Sequence, residues 1–307
     1  MASANPAQDT GPLVPGQRFG GVRIERVLAR GASATVYVAL EEDTGTPVAV
    51  KAVRLVDDAA DAPAGGGARE AFEREARASM ALHHRDIVKV YGVATGPGLG
   101  CIVMELLPGV DLSRYAQPGR LLPEALVLEI AARAAEALAY AHRQGVVHRD
   151  VKPANLMFDA PSQRVALTDF GLARASDAEA TRSGMLLGSP AYMAHELLAG
   201  ASADARSDLY ALGVLLCELL TGRLPYEGAS MGALLRAMAG GTPQSVGSLR
   251  PGFDPQAVAA LDAALAQVWQ RILAERQDDG SAWARTLRAV AQAHFGGVGN
   301  IGKRSVL

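Results

Sequence analysis

The sequence predicts an α+β fold in two parts, a small and mainly antiparallel β region followed by a larger helical region. β-branched and polar residues alternate between residues 22 and 56 and again between residues 87 and 105, as they do in strands. Beyond Pro108, apolar residues recur at helical spacing. The chain has 307 residues, near the upper limit for a single core, so one bilobed domain and two modest domains both fit.

In the β region, residues 1–16 are rich in Pro, Ala and Gly and are expected to form a flexible leader. An Ala, Asp and Gly tract at residues 57–67 predicts a loop, and the helix-forming residues at 69–82 predict a helix. The strands are predicted at residues 22–28, 35–40, 47–56, 87–93 and 101–105.

The helical region begins with a segment whose first turn contains Pro123. Its longest apolar run, residues 209–220, contains Glu218 and is shorter than the roughly 20 residues that a membrane span needs. This run therefore predicts a buried helix. The helices are predicted at residues 123–144, 205–221, 228–239, 255–275 and 280–294, and a short tail at 296–307.

Composition and charge exclude several classes of protein. With 49% hydrophobic and 20% charged residues, the chain is neither disordered nor fibrous. A net charge of -2 predicts no binding to nucleic acid or to membranes. Cys101 and Cys217 are far apart, which disfavours a disulfide framework or a zinc site and predicts two buried thiols. Because the first residues do not resemble a secretory signal, a cytoplasmic location is expected.

Two segments of the β region fit more than one interpretation when taken alone. Residues 28–37, LARGASATVY, read as a strand, a turn of small residues and a second strand. Such a turn could cover a phosphate or simply close a hairpin. The following VAVK ends at Lys51, which could bind a phosphate or be an ordinary surface lysine.

Two later segments are specific. The string VVHRDVKPANLMF starts at Val146, and ALTDFGLA follows at Ala166. Both resemble the catalytic and metal-binding loops of eukaryotic-like protein kinases, and the helical region looks most like the bacterial, Hanks-type serine/threonine kinases. The resemblance covers about residues 17–287 and implies a bilobed kinase-like fold. It places the catalytic domain at residues 17–295, with an N-lobe at 17–106 and a C-lobe at 109–295.

The resemblance implies transfer of the γ-phosphoryl group of ATP to protein Ser or Thr hydroxyls. Because this reaction has a loose transition state, the protein mainly positions the reactants and neutralises phosphate charge. Asp150 would accept or orient the hydroxyl proton, and Lys152 would contact the transferred phosphate. Lys152 also indicates the Ser/Thr type rather than the Tyr type. Asn155 and Asp169 would hold Mg²⁺, with Mn²⁺ as the alternative metal.

The resemblance also implies a nucleotide pocket. Lys51 would bind the α- and β-phosphates and pair with Glu75, whereas Glu73 would be a surface carboxylate. Ordinary core packing is the competing explanation for the apolar members of the pocket. The other expected pocket residues are Leu28, Gly31, Val36, Ala49, Met104, Glu105, Leu107, Asp111 and Leu156, with Met104 behind the adenine and Asp111 at the ribose.

A regulatory loop is expected between the second matched loop, ALTDFGLA, and the segment GSPAYMAHE at residues 188–196. Phosphate added to Thr181 or Ser183 would pair with Arg149 and order residues 175–187. Such autophosphorylation would involve a transient homodimer. The alternative is an unmodified flexible loop. Ser189 would contact the catalytic aspartate, a role in which relatives more often have Thr.

Three further residues are expected to be structural. Glu196 should pair with Arg276, and Asp208 should be buried and hold the catalytic loop through its backbone. Some positions depart from the pattern of the family, in which glycine is common at 29 and 34, proline at 195 and an Asp-Pro pair at 272–273. The residues found there are Ala29, Ala34, His195, Ile272 and Leu273.

The alternative function is that of a pseudokinase, a scaffold or nucleotide sensor that has kept the fold. Pseudokinases usually lack the lysine or one of the two aspartates, and here Lys51, Asp150 and Asp169 are all present. A kinase of small molecules fits less well, because such enzymes generally lack the segment at residues 188–196. The sequence therefore favours an active protein kinase that acts on protein substrates.

Overall fold

The structure is a computed structural model, and it describes residues 12–31, 34–55, 67–170, 190–270 and 275–296. The described residues divide into two compact units. The first unit contains the described residues up to His83 together with Val88–Leu107. The second contains His84–Ile87 and the described residues from Pro108 onward.

The described residues of the first unit form an antiparallel sheet whose strands lie in the order β1-β2-β3-β4-β6-β5. The tight turn between β3 and β4 uses Gly45 in the left-handed region, at a φ of 68°. The strands are β1 Arg18–Phe19, β2 Val22–Arg30, β3 Ala34–Glu41, β4 Pro47–Arg54, β5 Val90–Gly96 and β6 Leu99–Glu105.

Strand β4 shows how this sheet separates two apolar clusters. Successive side chains of a strand point to opposite faces. Val50 and its even-numbered neighbours pack into a cluster with Tyr37 and Val103. The odd-numbered residues Ala49 and Val53 belong to clusters on the other face.

Helix α1, Ala68–Met80, covers part of that second face. Its Phe72 and Ala76 are fully buried against Val53 and Ile102. Gly100 on β6 makes this contact close, because a Cβ there would lie 2.6 Å from the Phe72 ring. The contact therefore depends on a glycine in the sheet.

The second unit is mainly helical, with a small antiparallel sheet in the order β7-β8-β9 among its described residues. Ile87 adds a single parallel bridge to Leu167 of this sheet. The strands are β7 Val110–Asp111, β8 Leu156–Asp159 and β9 Arg164–Leu167. The described helices are α2 Glu124–Arg143, α3 His195–Leu198, α4 Ala205–Thr221, α5 Met231–Gly240, α6 Val246–Leu249, α7 Pro255–Trp269 and α8 Gly280–Phe295.

The core of the second unit is built around α2 and α4. Helix α2 buries a row of alanines, and their small side chains let α8 approach so closely that a Cβ on Gly280 would lie 2.4 Å from the Ala135 carbonyl oxygen. Trp283 of α8 is fully buried and donates its indole N–H to Ala264 of α7, at 2.8 Å. The three helices α2, α7 and α8 thus share one packed interior.

The predicted α+β fold is confirmed, and most of the predicted elements are present. Helix α4 has the predicted bounds, because Asp204 and Ser207 form a capping box at its start and Gly222 takes the left-handed conformation after its end. Both cysteines are buried, and burial raises the pKa of each thiol to about 12. The prediction of two buried thiols is therefore confirmed.

Three predicted elements have different bounds. Helix α7 ends at Trp269 and not at residue 275, because the Gln270 carbonyl turns away and accepts hydrogen bonds from Arg276. The strand expected at 87–93 is split, since Ile87 pairs in the second unit and β5 begins only at Val90. Helix α5 starts at Met231, where Ser230 caps it, and not at residue 228.

The expectation of a flexible leader through residue 16 is corrected for its last part. Residues 1–11 lie outside the described part of the chain. Leu13, however, is 2% exposed and packs with the cluster around Tyr37, whose hydroxyl accepts a hydrogen bond from the Leu13 amide at 3.1 Å. Gly16 then donates to the Ile24 carbonyl at 2.8 Å. Apolar burial thus orders the chain before β1.

Within the parts of the chain that the structure describes, no helix combines the length and apolar character needed to cross a lipid bilayer.

Candidate active site

A buried carboxylate, Asp208 of α4, holds the segment that contains the predicted catalytic residues. Its side chain is 2% exposed and accepts hydrogen bonds from the amides of His148 and Arg149, both at 2.8 Å. His142 Nε2 lies 2.8 Å from the same carboxylate. Arg149 takes a left-handed backbone with a φ of 71°, a strained conformation for a side chain with a Cβ. The predicted structural role of Asp208 is confirmed.

His148 links this segment to the strand that leads to Asp169. Its Nδ1 accepts from the Asp150 amide at 3.3 Å, so the other nitrogen carries the hydrogen of the neutral ring. Nε2 lies 2.9 Å from the Thr168 carbonyl oxygen, to which it therefore donates. The ring also lies against Phe170, with centroids 4.5 Å apart. One imidazole thus connects the backbone on both sides of the site.

The structure brings Asp150, Lys152 and Asn155 together. Asp150 Oδ2 lies 2.7 Å from Lys152 Nζ and 2.8 Å from Asn155 Nδ2, which also donates to the Asp150 carbonyl at 2.8 Å. The Asp150 and Lys152 side chains are 28% and 23% exposed. Lys152 and Asn155 thus contact one oxygen of the Asp150 carboxylate, which is partly exposed to solvent. Such a carboxylate is suited to orient a hydroxyl proton.

Asp169 follows β9 at a strained position, with a φ of 67°. The preceding residue, Thr168, donates its amide to the Asn155 carbonyl at 3.0 Å, which holds the two predicted metal ligands in one network. Asn155 uses its Nδ2 as donor to Asp150, so Oδ1 is the atom of this amide that could bind a metal. An amide oxygen and a carboxylate are ligands that suit Mg²⁺.

These two residues do not form a metal cage by themselves. In the described ranges, no group of three or more His, Cys, Asp or Glu side chains is arranged to hold a metal ion. Mg²⁺ is commonly bound by one or two carboxylates together with substrate phosphates. The donor set therefore fits a metal that arrives with a nucleotide.

In the first unit, Lys51 lies between two apolar clusters. It shares its face of β4 with Ala49 and Val53, which belong to the two clusters on that side. Val53 contacts α1, and Glu75 lies one residue before the buried Ala76 of that helix. Pairing of Lys51 with Glu75 stays a prediction. Glu73 is a surface residue that accepts hydrogen bonds from Arg69 and Thr95. The hydrogen bond from Arg69 is the main cause that lowers the pKa of the Glu73 carboxyl.

Four residues of the predicted nucleotide pocket are members of a single apolar cluster. In this cluster Ala49 is 4% and Met104 9% exposed. Val88 and Val90 contribute to it as well, so core packing and a pocket wall both remain consistent with the burial. The four predicted residues are Val36, Ala49, Met104 and Leu107. Next to them, the Glu105 amide donates to the Lys89 carbonyl at 2.9 Å.

Gly31 lies in the turn between β2 and β3, and Leu28 lies near the end of β2. Residues 32 and 33 of this turn are outside the described part of the chain. The Gly31 amide donates to the Ala34 carbonyl at 2.8 Å, and a Cβ on Gly31 would lie 3.4 Å from that oxygen. Among the described residues, a Cβ on Gly31 would therefore meet its neighbours at an ordinary contact distance. Leu28 is 46% exposed, more than most large apolar residues of the described chain.

Asp111 and Leu156 belong to the small sheet of the second unit. Leu156 is fully buried and pairs with Leu167 of β9, while Asp111 pairs with Met157 of β8. The Asp111 side chain accepts from the Ser113 amide at 3.0 Å, which caps the short turn Leu112–Tyr115. Asp111 thus has a structural role whether or not it also contacts a ribose.

The predicted site residues are divided between the two units. Lys51, Glu75 and the apolar cluster lie in the first, and Asp150, Lys152, Asn155 and Asp169 in the second. The predicted regulatory residues Thr181, Ser183 and Ser189 lie outside the described residues.

The start of α3 and the residues just before it are anchored at several points. Arg276 Nη1 donates to Glu196 Oε1 at 2.6 Å, so the predicted pair is confirmed, and the Arg276 side chain is fully buried. The Arg276 guanidinium also lies 5.2 Å from the ring centre of Tyr210. Tyr192 donates its hydroxyl to Glu218, a carboxyl whose pKa is raised by burial.

Sequence reasoning missed a second anchor of the strand that leads to Asp169. Arg133 of α2 hydrogen-bonds Asp86, which is 3% exposed, and donates to the Gln163 carbonyl at 2.6 Å. The Asp86 carbonyl in turn accepts from the Leu167 amide at 2.9 Å. No pattern in the sequence marked this pair, because Arg133 lies with Glu129 and Glu136 on the partly exposed face of α2, where a charged residue is ordinary.

The chain is similar to known proteins over most of its length. The sequence model of the family described as "Protein kinase domain" matches residues 22–277. The probable serine/threonine-protein kinase pknA2 of Bifidobacterium longum is 36% identical over 273 residues, which cover 89% of this chain and 35% of that protein. Serine/threonine-protein kinase Pkn1 of Myxococcus xanthus is 36% identical over 292 residues, covering 93% of this chain and 39% of that protein. The chain thus spans less than half the length of these relatives.

A solved structure is similar over nearly the whole chain. The crystal structure of a point mutant of the Mycobacterium tuberculosis PknI kinase domain has a TM-score of 0.71 at 28% sequence identity. The match covers 92% of this chain and 100% of that one.

Proposed function

Because the chain belongs to the protein kinase family, we propose that it transfers the γ-phosphoryl group of ATP to serine or threonine hydroxyls of proteins. The observation that carries the proposal is the group formed by Asp150, Lys152 and Asn155, held in place by the buried Asp208. The curated relatives, named as serine/threonine-protein kinases, support the same reaction.

Each residue of the group has a proposed task in this reaction. Asp150 orients the acceptor hydroxyl and takes its proton as the new P–O bond forms and the bond from the γ-phosphorus to ADP breaks. Lys152, 2.7 Å from Asp150, places a positive charge where the transferred phosphoryl group develops negative charge. Asn155 and Asp169 hold Mg²⁺, which when bound neutralises charge on the phosphate oxygens; Mn²⁺ is the alternative metal.

The residues of the first unit are proposed to bind the nucleotide. Lys51 contacts the α- and β-phosphates, with Glu75 as its partner. Val36, Ala49, Met104 and Leu107, which share one apolar cluster, form the wall against the adenine. Leu28 and Gly31 would cover the phosphates, and the backbone at Glu105 would bond the purine edge. Two residues of the second unit are also proposed to contact the nucleotide, Asp111 at the ribose and Leu156 at the base.

Phosphate transfer from labelled ATP to casein in the presence of Mg²⁺ tests the proposal. Wild-type protein should label casein on Ser and Thr, and the Asp150→Asn variant should lose about 100-fold or more in rate while keeping its affinity for ATP, because the exchange acts on the chemical step. Asp278→Asn, the same exchange at an exposed loop position, is the matched control.

The alternative functions predict other results in the same assay. A wild-type protein that binds ATP but labels no protein would contradict the proposal and favour the scaffold. Label found only on tyrosine would contradict the Ser/Thr assignment.

We further propose that the chain phosphorylates its own loop on Thr181 or Ser183. Arg149 supports this, because Asp208 fixes its backbone and it directly precedes the catalytic Asp150, as an arginine that pairs with a phosphorylated loop residue would. Mass spectrometry after incubation with ATP and Mg²⁺ should find phosphate within residues 174–189. A rate that rises with protein concentration would support transfer within a transient homodimer, and a loop without phosphate would contradict the proposal.

The expectations of no nucleic-acid partner, no membrane partner and a cytoplasmic location stay predictions from charge and sequence pattern.

A further inference from the structure

Helix α5 receives a hydrogen bond at its carboxyl end from a side chain of a different element. The last four carbonyl groups of a helix have no partner within the helix. Of these, the Ala237 carbonyl accepts from the Gly241 amide at 2.8 Å. The Met238 carbonyl oxygen lies 3.0 Å from Nε2 of His195, the first residue of α3. Because a carbonyl oxygen can only accept, Nε2 of His195 is the donor.

The environment of His195 fixes the direction of this hydrogen bond. The imidazole meets Tyr210 edge to face, with ring centroids 5.4 Å apart, and Tyr226 in the same way at 6.3 Å. Both tyrosines are buried, at 1% and 7% exposure. The Met238 side chain is fully buried as well, so the accepting carbonyl belongs to a well-packed turn. The ring therefore has little freedom to leave its acceptor.

His195 lies within a short segment that other contacts hold to other elements. Ala194 is fully buried against Tyr210 and Val214 of α4. The next residue, Glu196, accepts from the buried Arg276 at 2.6 Å. His195 adds a connection from this segment to α5.

We infer that His195 is a positioning residue for the protein substrate, acting by fixing residues 192–196 to the carboxyl end of α5. The inference rests on the proposed function and on the resemblance of the segment ending at Glu196 to the one that shapes the protein-substrate site of protein kinases. The contacts of His195 described above are with Met238, Tyr210 and Tyr226, none of which is assigned to nucleotide binding or phosphoryl transfer. Its loss should therefore weaken binding of the protein substrate and leave the use of ATP unchanged.

The residue that the family usually has at this position offers a matched variant. His195 is the first helical residue of α3, preceded by Ala194 at the N-cap. Proline is well suited to this position of a helix, since its fixed φ is compatible with the first turn. A proline here can keep the start of α3, but it has no side-chain donor for the Met238 carbonyl. Glutamine has a donor at a similar reach.

Steady-state kinetics with casein and ATP as varied substrates test the inference. His195→Ala and His195→Pro should raise the KM for casein by about 5-fold, the size expected for one hydrogen bond between buried groups. Both should leave kcat and the KM for ATP within about 2-fold of wild type. His195→Gln should restore the KM for casein to within about 2-fold of the wild-type value.

A second variant separates positioning from a general loss of stability. Val290→Ala removes buried methyl groups from α8 and should lower the melting temperature without changing the KM for casein. Unchanged KM for casein in both His195→Ala and His195→Pro would overturn the inference, as would an equal rise in Val290→Ala. Should the alanine variant fail to fold, the proline variant carries the comparison. A wild-type protein with no transferase activity would instead contradict the proposed function, and the inference with it.

Discussion

The side chain of Asp208 illustrates what a single buried carboxylate does for the site. It accepts hydrogen bonds from two consecutive amides and lies 2.8 Å from His142, and in this way it stabilises a backbone that is strained at Arg149. A buried carboxylate is costly unless its oxygens are bonded. At Asp208, hydrogen bonds to the backbone offset the cost of burying a charge, and the same hydrogen bonds support the catalytic segment.

We predict that Asp208→Asn destabilises the fold by about 2 kcal/mol, because the amide keeps one acceptor and turns a donor towards another N–H group. Chemical denaturation would measure the change. Transferase activity should fall in the same variant, since the Asp150 segment loses its support. A denaturation midpoint equal to that of Asp278→Asn would contradict the prediction.

Gly31 provides a second prediction at this scale. Because a Cβ at this position would lie 3.4 Å from the nearest atom among the described residues, Gly31→Ala should leave the melting temperature unchanged. If the backbone approaches the phosphates of ATP here, the same variant should raise the KM for ATP by about 3- to 10-fold. Gly92→Ala is the control, because a Cβ on Gly92 meets open space. Equal ATP kinetics in both variants would contradict a phosphate-covering role.

Among the elements, α2 and α8 are joined by an ionic network at the edge of their packed interface. Arg288 of α8 donates to Glu129 at 2.9 Å and also bonds Glu136, both on α2. The hydrogen bond from Arg288 is the leading cause that lowers the pKa of Glu136, and the two carboxylates raise the pKa of Arg288. The network therefore stabilises the pair of helices when the glutamates are ionised.

We predict that Arg288→Ala lowers the free energy of unfolding by about 1 kcal/mol at neutral pH, a modest value because the Arg288 side chain is 38% exposed. A carboxyl with a lowered folded-state pKa stabilises above its unfolded value, near 4.3, and loses that contribution as pH falls through the folded value. The difference between variant and wild type should therefore shrink below about pH 4. Arg285→Ala, an exposed arginine of the same helix, should show no such pH dependence.

At the scale of elements, the sequence predicted best where local signals were strong. The bounds of α4 were predicted because its start and end have recognisable caps. Strands β7 to β9 were missed because segments of two to four residues have too little periodicity to detect. The end of α7 depends on a hydrogen bond from Arg276, six residues away, which no local pattern shows.

For the whole molecule, the two compact units divide the proposed tasks, with the nucleotide cluster in the first and the transfer group in the second. The residue types of the transfer group were predictable from two motifs. Their support was only partly predictable: Asp208 was expected, but His142 and the Arg133–Asp86 pair were not, because tertiary packing alone brings them into place.

The described residues offer few ligands for a metal ion, and this leads to a prediction for the whole chain. Mg²⁺ alone should change the melting temperature by less than about 1 °C, whereas Mg²⁺ with ATP should raise it by several degrees, since ligands that bind the folded state stabilise it. Asp169→Asn should keep the shift caused by ATP and lose the part that depends on Mg²⁺. A large shift with Mg²⁺ alone would contradict the proposed donor set.

The burial of Leu13 determines how far the chain can be trimmed. A shortened chain beginning at residue 17, the boundary that composition alone suggests, would lose an apolar side chain from the interior of the first unit and the amide that bonds Tyr37. Removing one buried leucine side chain typically costs about 2–5 kcal/mol. A version trimmed for expression or crystallisation should therefore begin at or before residue 12.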